Sequence, residues 1–179
     1  MNTSAQTSPR TRQSSKSTVV HVSTLDSLLG AHPTALRDIY REGSPADPST
    51  LASRLDGRIL AVEPLAKAHM LGRPLLSLAA RVMPWRGKVF ESGGTAGVNR
   101  LLSGHAFRFH CEGATSLLDG RPTLRIAYNG LKNPRLVERV VDELRMVGPG
   151  VGIGPMFLKT GNEPKLLLWW GLESPADVS

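Results

Sequence analysis

The chain has 179 residues, a single cysteine and a formal net charge of +7. That length fits one domain, stable without disulfides or metal, and Cys111 alone excludes an intrachain disulfide. Three of the net positive charges are Arg10, Arg12 and Lys16 of an acid-free start. The other basic residues are interspersed with Asp and Glu, and only 5% of residues are aromatic. With no helix-turn-helix pattern and no aromatic-plus-basic RNA signature, nucleic acid is not indicated as a partner.

Residues 1–18 are rich in Ser, Thr, Gln and Arg, which predicts a disordered basic tail. The segment from Val19 to Thr24 is too short and polar for a secretory signal. No uncharged apolar run reaches the length of a membrane span. With one cysteine, these features suit a cytoplasmic protein. Residues 19–174 are expected to form one domain and 175–179 a polar stub.

Leu25 to Gly43 reads as helical. Pro33 stands at a first helical position, Leu36, Ile39 and Tyr40 share one face, and Gly43 is the stop. Asp47-Pro48 predicts a second short helix, capped by Asp47, with Leu51 and Leu55 as an i, i+4 pair. Asp56-Gly57 reads as a turn, and Arg58 to Val62 as the first strand. Residues 64–83 are mostly apolar and too long for a strand. Gly72 and Pro74 divide them into two helical pieces, which serve either as a lid over a cavity or as a helix packed on the sheet.

From Trp85 onward strands are expected. Gly87 to Phe90 is short, and 92–99 reads as a Gly-rich loop. His105 to Glu112 alternates, with His105, Phe107, Phe109 and Cys111 on one face. Thr123 to Tyr128 places Leu124, Ile126 and Tyr128 together. Asn133-Pro134 predicts a helix with Leu136, Val137, Val140, Val141 and Leu144 as its stripe, with Asp142 and Arg145 paired on its solvated face. Val151 to Lys159 is a Gly-rich strand, and Lys165 to Glu173 an apolar one covered on both faces. The sum is a mainly β fold: an antiparallel lipocalin-like β-barrel with N-terminal helices, a helical insert and one helix before the last two strands.

Neither glycine cluster fits a nucleotide motif. Gly148 to Gly154 follows a helix-like segment without the dinucleotide spacing, and Gly93 to Gly97 lacks the Lys-Ser/Thr of a P-loop. Gly152 and Gly154 either clear room beside Trp169 or Trp170 or let strands pack closely. His21, His32, His69, His105 and His110 lack metal-ligand spacing, so no metal and no cofactor is expected. No G-x-S-x-G occurs, and Cys111 beside Phe107 and Phe109 reads as a buried, inert thiol.

Two function classes follow from the barrel, beside a third in which the basic tail of residues 1–18 touches nucleic acid or acidic partners in a salt-sensitive way. In the first, Trp85, Phe107, Phe109, Leu124, Ile126, Tyr128, Trp169 and Trp170 line a barrel pocket for a small hydrophobic molecule. Trp85 plugs the barrel end there, with Lys88 or Arg86 stacking or bonding near it. In the second, the chain is a biosynthetic cyclase, isomerase or lyase on the same barrel. His105 and Tyr128, with Arg125, then act as its acid–base or polarising groups.

The order of features from Gly57 onward resembles bacterial lipocalin-like domains of uncharacterised function with a G-x-W-x-G motif. The resemblance lies in a Gly-led first strand before a helical insert, then Trp-x-Gly-Lys-x-Phe at Trp85 to Phe90. Tyr128, Pro134, Asp142 and Arg145 follow, then a Gly-rich strand and an apolar strand ending at Leu172-Glu173. The tryptophan of the motif is absent at Gly57-Arg58-Ile59. The resemblance implies a β-barrel with an internal pocket and brings no catalytic residues.

Overall fold

The computed structural model describes residues 22–51, 53–63, 85–161 and 163–175. The basic tail and the expected helical insert lie outside these residues. Among the described residues one α-helix, α1 (Pro33–Glu42), precedes nine strands: β1 (Ser44–Pro45), β2 (Arg54–Val62), β3 (Trp85–Phe90), β4 (Ala96–Leu101), β5 (Gly104–Thr115), β6 (Pro122–Ala127), β7 (Val140–Gly148), β8 (Val151–Thr160) and β9 (Glu163–Glu173). Each strand from β2 onward pairs antiparallel with the next, and β9 returns to pair with β2, Gly57 facing Leu172. The result is a closed eight-stranded up-and-down barrel without long free edges. The two-residue β1 adds to β7 through Ser44 and Met146.

Helix α1 forms where its signals place it. Pro33 occupies the first turn, and the His32 ring accepts from the Thr34 amide at 3.3 Å. The other expected N-terminal helices are only 3₁₀ turns, Leu25–Leu28 and Pro48–Thr50. Asp47 does cap the second, accepting from the Ser49 amide at 2.9 Å. Leu55 then lies in β2, and Asp56-Gly57 continues that strand instead of turning. An added Cβ on Gly57 would meet the Trp85 ring at 2.5 Å, so the glycine serves close approach across the sheet. Residues 92–99 likewise contain the start of β4.

The helix expected before the last two strands is absent. Val137–Arg139 makes one 3₁₀ turn, and β7 takes the rest. The misreading has a physical source. Leu136, Val137, Val140, Val141 and Leu144 fit a helical stripe, yet both faces of β7 are buried. Leu144 points into the barrel core with Leu124, Ile126 and Phe109, whereas Val147 joins an outer core with Leu25, Leu36, Tyr40, Ile153 and Trp169. The charges that resemble a wet helix face are therefore internal. Glu143 and Arg145 face the outer core, and Asp142 faces the barrel.

Arg145 does not pair with Asp142. It forms a two-pronged bond with Asp119, both N–O distances 2.8 Å, and its guanidinium lies 4.3 Å from the centre of the Tyr40 ring. Glu143 accepts from the hydroxyls of Tyr40 at 2.9 Å and Ser116 at 2.6 Å, and from the Leu117 amide at 2.6 Å. These contacts fix α1 on the barrel wall.

The alternating glycines of β8 serve close strand packing. A Cβ on Gly154 would stand 1.5 Å from the Glu143 carbonyl oxygen, whereas one on Gly152 would first meet the Leu144 methyl at 2.8 Å. Backbone cannot step aside as a side chain can. Gly154→Ala is thus expected to cost about 2–3 kcal/mol and Gly152→Ala about 1 kcal/mol in urea unfolding. Equal costs would contradict the close approach of β7 and β8.

Candidate functional site

Lys88 is the unexpected residue of the interior. It sits mid-strand in β3 and is 1% exposed. Its Nζ donates to Asn99 Oδ1 at 3.0 Å, Tyr128 Oη at 2.6 Å and Asp142 Oδ2 at 3.0 Å. Those three acceptors use all three ammonium hydrogens. Strand register explains the convergence. Lys88 faces Asn99 across β3–β4, and Asp142 faces Ile126 across β6–β7, with Tyr128 just beyond the end of β6.

Every member of the cluster has further partners. Tyr128 donates to Asp142 Oδ2 at 2.7 Å and accepts from Asn99 Nδ2 at 3.2 Å. Asn99 accepts from the Trp85 indole at 3.0 Å and donates to the Phe107 carbonyl at 3.2 Å. Four rings surround the ammonium, their centres 5.7 Å (Trp85), 4.9 Å (Phe109), 5.2 Å (Tyr128) and 5.0 Å (Trp170) away. The ion pair and the negative faces of these rings together offset the cost of burying the charge. Burial, then the neighbouring Asp142 charge, raises the Tyr128 hydroxyl well above its ordinary value.

Above this cluster lies a cavity of about 160 Å³. Lys88, Asn99, Tyr128 and Asp142 form its polar side. Trp85, Phe107 and Trp170 supply aromatic wall, and Ile59, Leu101, Val137, Val140, Met156 and Leu168 the aliphatic wall. A cavity of that size in an apolar core takes up benzene in another protein. Two buried polar atoms of wall residues, Asp142 Oδ1 and Trp170 Nε1, have no hydrogen-bond partner among the described residues.

A bulge shapes one wall. The β4–β5 register slips at Phe107, whose φ is +58°, a left-handed value unusual for a bulky residue. Phe107 keeps the interior side it shares with Phe109 and lines the cavity, while the slip reverses the phase of everything before it. His105 consequently pairs with Arg100 and is exposed, away from the cavity. Strict alternation had placed His105 beside Phe107 and Phe109. Arg125 pairs with Glu112 in the sheet and donates to the Thr115 carbonyl at 2.6 Å, also off the cavity.

The structure thus brings Trp85, Phe107, Tyr128 and Trp170 to one cavity. Phe109, Leu124 and Ile126 belong to the packed core of the same barrel interior. Trp169 is in the outer core, its indole donating to Glu63 at 3.0 Å, because neighbours in a strand point to opposite faces. Trp85 does have Lys88 near it. Asn99 and Asp142 went unread as site residues, although a lysine inside an apolar strand signalled that acceptors must come from elsewhere.

Cys111 is buried in the barrel core, and desolvation pushes its thiol up to about 12. Native protein should therefore react with a thiol reagent at pH 8 at least about a hundredfold more slowly than unfolded protein. A raised folded pKa adds stability that is full below the unfolded value near 8.5 and fades as pH climbs toward 12. Rapid native labelling would contradict this placement.

The chain matches no family model, and no curated protein matches it. Among solved structures, a protein from Thermomonospora curvata has a TM-score of 0.58 at 15% identity, over 85% of this chain and 93% of that one. At that identity the likeness shows the fold alone, a closed antiparallel barrel of eight strands. Among the described residues no helix is long and apolar enough to cross a membrane.

Proposed function

We propose that this chain holds one small, mostly apolar molecule inside its barrel, in the manner of the lipocalin-like domains it resembles. The observation that carries this reading is the cavity itself: about 160 Å³ within an aromatic and aliphatic wall, with its polar groups gathered on one side. Apolar burial supplies affinity in such sites and a few placed polar groups set orientation. A cytoplasmic setting goes with this reading and rests on the single cysteine.

A catalytic reading with Tyr128 as an acid–base group draws on one specific observation, its hydroxyl shared between Lys88 and Asp142. Two facts favour binding over catalysis. The raised Tyr128 hydroxyl holds its proton firmly at neutral pH, and His105 and Arg125 are not at the cavity to assist it.

Native mass spectrometry of protein purified from its own host, followed by denaturing extraction, tests the proposal. The expected result is a stoichiometric apolar guest. Guest at a hundredfold over its dissociation constant stabilises by about 2.7 kcal/mol, or roughly 5–10 °C in Tm for a chain of this size. An empty protein with no shift across lipids, terpenoids and polyketides would overturn it.

A further inference from the structure

We infer that the part of the guest inside the cavity is an uncharged hydrocarbon, without hydroxyl, amine or carboxylate, a conclusion that rests on the ligand reading of the cavity and narrows it. Polar side chains gathered on one side of a pocket ordinarily bond a polar guest. Here each is already engaged by its neighbours. The Lys88 ammonium gives its three hydrogens to Asn99, Tyr128 and Asp142. The Tyr128 hydroxyl donates to Asp142 Oδ2 and accepts from Lys88 Nζ and Asn99 Nδ2, which uses its one hydrogen and both lone pairs. Asn99 donates its two amide hydrogens to the Phe107 carbonyl and Tyr128, and its Oδ1 accepts from Trp85 and Lys88.

The other polar side-chain atoms of the wall, Asp142 Oδ1 and Trp170 Nε1, are fully buried, so a guest reaches neither. Charge gives no foothold either, because Asp142 balances Lys88 at 3.0 Å. What the wall offers a guest is therefore aromatic surface, aliphatic groups and the Met156 side chain. A hydroxyl, amine or carboxylate moved against it loses its bonds to water and gains none in return. A hydrocarbon has no such bonds to lose, and its burial is favourable. Orientation then comes from the shape between Trp85, Phe107 and Trp170. A polar group on the guest is tolerated only where it stays in water outside the cavity. The site thus separates a hydrocarbon from its oxygenated derivative.

Three probes of nearly equal size test this by calorimetry on the full chain: toluene, p-cresol and 4-methylbenzoate. Toluene should bind tightest, p-cresol at least about tenfold weaker for its unmatched hydroxyl, and 4-methylbenzoate weakest. Asn99→Ala releases one Lys88 hydrogen and the Trp85 indole N–H, so this variant should bind p-cresol at least as tightly as toluene. Affinity for p-cresol equal to or above that for toluene in the unaltered chain overturns the hydrocarbon inference and leaves the apolar pocket standing. Tightest binding of 4-methylbenzoate overturns it in favour of an anion site on Lys88. A tenfold p-cresol deficit that persists in folded Asn99→Ala overturns saturation of the polar groups as the source of the selection. No binding by any probe removes the pocket reading as well. The unaltered chain decides the guest class even if Asn99→Ala fails to fold.

Discussion

Replacing Lys88 with Met is expected to cost about 3–5 kcal/mol, because it leaves the Asp142 carboxylate buried without its counter-charge. At 2–4 °C per kcal/mol for a chain of this length, Tm falls by roughly 6–20 °C. The side chain is almost wholly removed from solvent, so water cannot replace the three lost bonds. Removing both charges is a different experiment. Lys88→Met/Asp142→Leu leaves no unpaired ion, and apolar replacements of a buried pair are often neutral or stabilising. The double variant should recover most of the loss. Calorimetric Tm of the two variants checks both statements. A Lys88→Met cost under about 1 kcal/mol would mean that the pair is solvated and the cavity wetter than described.

Glu143→Ala should have the next largest effect, about 3 kcal/mol, localised to the N-terminal segment. The carboxylate is fully buried between the barrel wall and α1. Its loss strips the Leu117 amide of an acceptor and takes the carboxylate from the Tyr40 and Ser116 hydroxyls. Glu143→Gln retains an acceptor oxygen and should cost less. Hydrogen exchange distinguishes local from global loosening: amides of α1 should exchange faster in Glu143→Ala, while those of β4 to β6 keep their protection relative to global stability. Uniform acceleration would show that α1 is not a separate layer. Burial, then the Glu143 charge, raises the Tyr40 hydroxyl above its ordinary value. Its contribution is therefore full below the unfolded phenol value near 10 and is lost as pH rises beyond it.

Much of the barrel was readable in the chain because its strands alternate. The β5, β6, β8 and β9 segments carry apolar residues at every second position or a continuous apolar run, and turn residues separate them. Strand β7 was not readable, since its charged residues have internal partners supplied by distant segments: Lys88 for Asp142, Tyr40 and Ser116 for Glu143, Asp119 for Arg145. No local pattern reveals such pairing. The site was half legible for a related reason. Aromatic residues announced a pocket, and Trp85, Phe107, Tyr128 and Trp170 do meet there. The bulge at Phe107 is a single-residue slip that no alternation rule anticipates, and it removed His105 from the interior. Trp169 and Trp170 were grouped although adjacent strand residues face opposite ways, and an outer core under α1 accounts for the first of them.

The three tryptophans give the most direct test of the cavity. Trp85 and Trp170 line it, and Trp169 faces the outer core, so one residue type provides two reporters and an internal control. Titrating toluene into ¹⁵N-labelled protein and following the three indole N–H resonances reads all of them at once. The account predicts saturable shifts of the Trp85 and Trp170 signals, with Trp169 nearly unmoved. A shift confined to Trp169, or no saturable shift at millimolar toluene, would contradict it.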